Sequence, residues 1–126
     1  MTYIIHGATG AQGAPVLTQL LAAGKHAVAA VRDPDAHAGT AAIRVDNTSV
    51  KSLTEAYRGA AGVFIHLPVA PEEARLAQAN AIVAAVAAAR PARVVISTSG
   101  SIVDAPGNAL QAPASAAITC LLYTSP

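Results

Sequence analysis

The chain is poor in several things at once. It holds one cysteine, Cys120, and no tryptophan, and aromatic residues make up 3% of its 126 positions. A single thiol excludes an internal disulfide and fits a cytoplasmic setting. So few rings exclude a base-stacking platform for nucleic acid. Charged residues are 12%, balance to +1 and form no basic block, whereas a phosphate-backbone binder needs clustered lysine and arginine. The longest apolar stretch, Ala81–Ala89, is far below the ~20 residues that span a bilayer. The N-terminus runs directly into a strand pattern, so no secretory leader is expected. Nucleic acid and membrane are therefore not expected partners. What the chain does have is apolar bulk: 53% hydrophobic residues, enough to fill the core of one domain at most.

The most informative stretch is Tyr3-Ile4-Ile5-His6-Gly7-Ala8-Thr9-Gly10-Ala11-Gln12-Gly13. A short apolar strand meets glycines spaced G-x-x-G-x-x-G, and a helical pattern follows at once. Glycine tolerates positive φ and leaves room for an incoming group. The first turn of the following helix offers unpaired N–H groups and a partial positive charge. Together these form a seat for a diphosphate. Gly7 serves the tight turn, Gly10 the approach of the backbone to the diphosphate, and Gly13 the packing of helix on sheet. Thr9, Ala11 and Gln12 add donors. The alternative is a glycine-rich turn with no ligand.

Elements then alternate. Strands are expected at Tyr3–His6, His26–Val31, Ala42–Val45, Gly62–Leu67 and Arg93–Ser97. Helices are expected at Ala11–Ala23, with Val16, Leu17, Leu20 and Leu21 on one face, from a cap at Asn47 or Thr48 to Gly59, and at Glu72–Arg90. Such alternation gives right-handed βαβ units. The fold expected is a Rossmann-type α/β domain with a parallel sheet ordered 3-2-1-4-5 and helices on both faces. Its ligand crevice lies between strands one and four. Residues 1–105 form this domain and 106–119 a loop, with Gly100–Ser115 read as irregular. Cys120–Pro126 breaks the pattern and resembles a translated transposon-end adapter, so the domain is expected to be truncated after strand five.

The glycine run, Val31-Arg32-Asp33-Pro34, Asp46 before Ser49, Leu53, Ala56 and Gly59, and then Gly62-Val63-Phe64, together resemble the NmrA-like atypical short-chain dehydrogenase/reductases over residues 2–105. The resemblance implies binding of NADP(H) or NAD(H). Some members are oxidoreductases and others are redox sensors. It implies hydride transfer to a small carbonyl, enone or quinone, or else a non-catalytic NADP(H)-sensing regulator with a protein partner. It further implies that Asp46 meets the adenine amino group, helped by Asn47, and that His66, Leu67 and Pro68 offer backbone contacts to ribose.

Arg32 stands at the end of strand two, where an acid would hold a ribose 2′-hydroxyl. Its guanidinium fork suits a 2′-phosphate instead, so NADP(H) is preferred over NAD(H). The alternative is a solvated arginine. For Asp46 and Asn47 the alternative is helix capping. His66 is a candidate proton-transfer group, since histidine is the side chain suited to that role near neutral pH, although a strand-end histidine is more often structural, and His6 more so. Two histidines without a third ligand make a poor metal site. Ser99, in Ser97-Thr98-Ser99-Gly100, occupies the region of a catalytic hydroxyl in the wider superfamily. The usual partner is missing: with Tyr3, Tyr57 and Tyr123 against Lys25 and Lys51, no Tyr-x-x-x-Lys pair exists. That absence, with Arg32 in place of an acid, makes a sugar-nucleotide epimerase the least expected reading.

Overall fold

The structure is a computed structural model that describes residues 2–37, 41–67, 70–97 and 112–119. Pro68, Ser99, the segment 100–111 and the tail 120–126 lie outside the described residues. The elements are β1 (Thr2–His6), α1 (Gly13–Ala22), β2 (His26–Val31), β3 (Ala42–Arg44), α2 (Val50–Tyr57), β4 (Ala60–Ile65), α3 (Glu72–Ala89), β5 (Val94–Ile96) and α4 (Pro113–Thr119), with a 3-10 turn at Pro34–His37. The five strands form one parallel sheet ordered β3-β2-β1-β4-β5. This is the Rossmann-type α/β arrangement that the alternation requires.

Side chains alternate across the sheet with the period of a strand. Ile5, Ala27 and Ala29 face α1 and pack with Leu17. Ile4, Val28, Val63 and Ile65 face the opposite way and pack with Leu53, Tyr57, Ile82 and Ala85 of α2 and α3. The helices therefore cover both faces. Among the described residues no helix is long and apolar enough to cross a membrane.

Helix ends follow local chemistry. Gly24, at φ +75°, ends α1. Its N–H donates to the Leu21 carbonyl and the next, Lys25, reaches back to Leu20, each at 3.0 Å, which is the Schellman arrangement. Leu21, expected on the buried face of this helix, is half exposed; it lies past the edge of the stripe formed by Val16, Leu17 and Leu20. The helix also starts later than expected, at Gly13, because residues 10–12 turn before it.

Strand and helix ends elsewhere shift from the sequence reading by one or two residues, and the following boundaries bear on the site or on the packing of the last helix. β4 begins at Ala60 and stops at Ile65, so His66 and Leu67 leave the sheet rather than end a strand. The cap of α2 is Ser49, whose Oγ accepts from the Ser52 N–H at 3.2 Å; Asn47 and Thr48 lie upstream of it. The irregular stretch read up to Ser115 ends earlier, since Pro113 opens α4. This helix buries Ala114 and Ile118 in the core beside α3. Its first turn is capped from another helix: the Ala114 N–H donates to Glu72 Oε1 at 2.7 Å, while Glu72 Oε2 takes Arg75 Nη1 at 3.0 Å.

Candidate functional site

The glycine run folds into a tight turn against the end of β1. Gly7 takes φ +63°, a conformation that glycine adopts at little cost. The Gly10 N–H donates to the Gly7 carbonyl at 2.9 Å, and the Ala14 N–H to the Gly10 carbonyl at 3.0 Å. Gly13 is the crowded position. A Cβ there would lie 2.2 Å from the Gly7 oxygen and 2.8 Å from the His6 oxygen, so the helix can start here only without a side chain. Gly10 is not crowded: a Cβ would meet only the Gly7 oxygen, at 3.4 Å. Thr9, Gly10, Ala11 and Gln12 are exposed. Among the described residues the N–H groups of Ala11, Gln12 and Gly13 have no protein acceptor.

Gln12, the N-cap of α1, makes no side-chain capping bond. Its Oε1 accepts from Ser97 Oγ at 3.0 Å, across the crevice from the end of β5. Ser97 is itself held by its N–H on the Ile65 carbonyl at 2.9 Å. His66 closes the other side: its Nδ1 would be 3.5 Å from a Cβ on Gly7, which puts the imidazole beside the turn. Leu67 packs on the core.

His6 is a packed residue beneath this turn. It is 2% exposed and its Nε2 is hydrogen-bonded to Tyr57 Oη at 2.5 Å, the rings meeting edge to face. Burial lowers the His6 pKa to about 4 and raises that of Tyr57. Both are therefore neutral near pH 7, and the pair ties α2 to the last residue before the glycine turn.

The ends of β2 and β3 open a cleft of about 490 Å³ lined by Arg32, Arg44, Asp46, Asn47, Thr48, Ser52 and Gln78, with Val45. The residues Arg32, Asp46 and Asn47 of the sequence reading are thus brought together. Arg44 Nη1 donates to the Arg32 carbonyl at 3.1 Å. Asp46 Oδ1 accepts from the Thr48 N–H at 2.9 Å and its hydroxyl at 2.6 Å. These bonds, with a smaller contribution from Arg32, hold the exposed Asp46 carboxyl below its ordinary range. Among the described residues, two amide oxygens, Asn47 Oδ1 and Gln78 Oε1, are buried without a donor.

Sequence reasoning passed over Arg44, Ser52 and Gln78, and took Ser97 only as part of the hydroxyl run Ser97-Thr98-Ser99-Gly100. They come from β3, α2, α3 and the end of β5, and only the tertiary fold gathers them. Chemically, an amide-lined turn without obstructing side chains lies at the end of β1. A cleft carrying two guanidinium groups and unpaired acceptors lies at the ends of β2 and β3.

The NAD(P)H-binding family matches the chain over residues 7–120. None of the curated proteins matches it significantly. Among solved structures, a nucleoside-diphosphate-sugar epimerase from Staphylococcus aureus superposes with a TM-score of 0.76 at 23% identity, covering 98% of this chain and 47% of its own. A triphenylmethane reductase from Citrobacter sp., complexed with NADP(H), gives 0.76 at 20% identity, with 98% and 46% covered. An NADPH-dependent quinone oxidoreductase from Escherichia coli, complexed with NADPH, gives 0.73 at 22% identity, with 98% and 44% covered. These likenesses are of fold, and the chain spans slightly less than half the length of each.

Proposed function

The chain belongs to the NAD(P)H-binding family, and on that footing we propose that it is the NADP(H)-binding part of a cytoplasmic, NmrA-like oxidoreductase that passes hydride to a small carbonyl, enone or quinone. The observation that carries this reading is the turn at Gly7–Gly13. Gly13 seats the helix directly on the carbonyls of β1, so the amides of Ala11, Gln12 and Gly13 stay open at a helix N-terminus, where a diphosphate is stabilised. Gly10 is not required to be glycine by crowding or by φ; close approach of a ligand supplies the reason.

The preference for NADP(H) rests on Arg32, joined by Arg44. Both guanidinium groups line the cleft at the ends of β2 and β3, while Asp46 is the acidic group lining it and is engaged with Thr48. A 2′-phosphate suits such a fork better than a bare ribose hydroxyl does. Asp46 and Asn47 stand on the side of the adenine, and His66 and Leu67 on that of the ribose near the crevice. Ser97 orients Gln12. Bound in this way, the nicotinamide would supply the hydride, and the residues named here bind and orient it. Two structural neighbours are reductases solved with NADP(H) or NADPH, which supports the reaction class.

A second reading, an NADP(H) sensor that signals to a protein partner, needs only the same glycine turn and cleft. Assaying NADPH oxidation with a panel of small quinones and enones separates the two. Turnover supports the oxidoreductase; tight cofactor binding with no turnover supports the sensor. For cofactor choice, Arg32→Gln should lower NADPH affinity about tenfold and leave NADH nearly unchanged. An equal loss for both would refute the assignment of Arg32.

A further inference from the structure

We propose that Gln78 of α3, with Asn47, reads the amino group of the cofactor's purine and makes the site selective for adenine. This rests on the dinucleotide reading above and assigns a residue that the sequence pattern did not single out. Gln78 and Asn47 line the same cleft as Arg32 and Asp46. Each carries a buried amide oxygen with no hydrogen-bond donor among the described residues, Gln78 Oε1 and Asn47 Oδ1. A polar atom shielded from water without a partner is costly, and the cost is relieved when a donor arrives. The terminal torsions of Asn and Gln are broad, so a modest rotation turns each oxygen from the cleft wall toward its interior.

The two amides differ from the other groups of the cleft, which donate only, already hold partners or are exposed to water. Arg32 and Arg44 offer only donors. Asp46 Oδ1 already accepts both the N–H and the hydroxyl of Thr48, and its Oδ2 remains an acceptor that the two amides supplement. An exocyclic amine brings two N–H donors on one nitrogen, which suits two acceptors lining one cleft. A purine with a carbonyl at that position would set oxygen against oxygen. A site built for a donor discriminates strongly against an analogue that lacks it.

The test is titration of the full chain with NADPH and with its hypoxanthine analogue, in which the 6-amino group is replaced by a carbonyl. The unmodified chain should bind NADPH at least about tenfold more tightly than the analogue. Gln78→Met, which keeps the side-chain length and removes the acceptor, should lose most of that ratio while still binding both. Equal binding of the two dinucleotides by the unmodified chain, or an undiminished ratio in Gln78→Met, overturns the role of Gln78 and leaves the cofactor reading standing. Absence of binding by either dinucleotide overturns the cofactor reading itself, and this inference with it.

Discussion

The carbonyl oxygen of Gly7 lies 2.2 Å from where a Cβ on Gly13 would stand. Two glycines six residues apart are thus locked together by main-chain contact, and the first turn of α1 has no slack. Gly10, between them, is under no such constraint.

The two glycines should therefore separate stability from binding. Gly13→Ala must push main chain apart and is expected to cost at least about 1–3 kcal/mol, or to prevent folding. Gly10→Ala should leave the thermal midpoint nearly unchanged, within about 0.5 kcal/mol, yet weaken NADPH binding. Thermal melts paired with titrations check this. A Gly13→Ala chain as stable as the original would show that the turn is not packed as described.

The buried pair His6–Tyr57 should make stability depend on pH. His6 is held neutral, with its pKa lowered from 6.5 to about 4. Below pH 6.5 the unfolded chain takes up a proton that the folded chain refuses, so stability falls as pH drops from about 6.5 toward 4. The full loss is about 3 kcal/mol. The lowered carboxyl of Asp46 acts only further down, below 3.8. Urea melts at pH 7.5 and pH 5 measure the slope, and His6→Asn should flatten it. Tyr57→Phe should cost about 1–3 kcal/mol at either pH by leaving a buried ring nitrogen without its partner.

Thr54 sits buried on α2 with its hydroxyl oxygen lacking a partner among the described residues. Thr54→Val keeps the shape and removes the unsatisfied group. It should stabilise the chain by about 1 kcal/mol. Chemical denaturation reads this directly, and a destabilised variant would mean that the hydroxyl has a partner after all.

Glu72 reaches from α3 to the Ala114 N–H of α4. Glu72→Ala removes that cap and should cost about 1 kcal/mol. The loss should be local, read as faster amide hydrogen exchange over 114–118 with β1 and β4 unchanged. Uniform protection in the variant would rule out the cap.

Much of the architecture was legible in the chain. The run His26–Val31 matched β2 residue for residue, because a polar residue and a polar turn bound it on either side. The sheet order followed from strand–helix alternation alone. β4 was placed two residues late because no turn signal separates Ala60 from Gly62 or Ile65 from Leu67; the register against β1 and the ring of Tyr3 over Gly62 decide where it sits. The cap of α2 was displaced because Asn47, Thr48 and Ser49 can all cap, and only geometry selects Ser49. The whole of α4 was missed because Pro-Ala-Ser-Ala-Ala-Ile-Thr is too short to signal a helix by periodicity. Its stability comes from Glu72 and from packing on α3, which are tertiary facts. The same holds for the site: Arg32, Asp46 and Asn47 announce themselves by position after strands, whereas Gln78 and Ser97 matter only through what the fold brings beside them.

The central claim is that main-chain amides after β1 hold the paired phosphates of a nicotinamide cofactor. Following backbone amide resonances of the chain during titration with NADPH tests it most directly. The account predicts saturable shifts that are largest at Ala11, Gln12 and Gly13, accompanied by Arg32 and Asp46, with NADPH saturating before NADH. No shifts at millimolar NADPH, or shifts confined to residues away from the glycine turn, would contradict it.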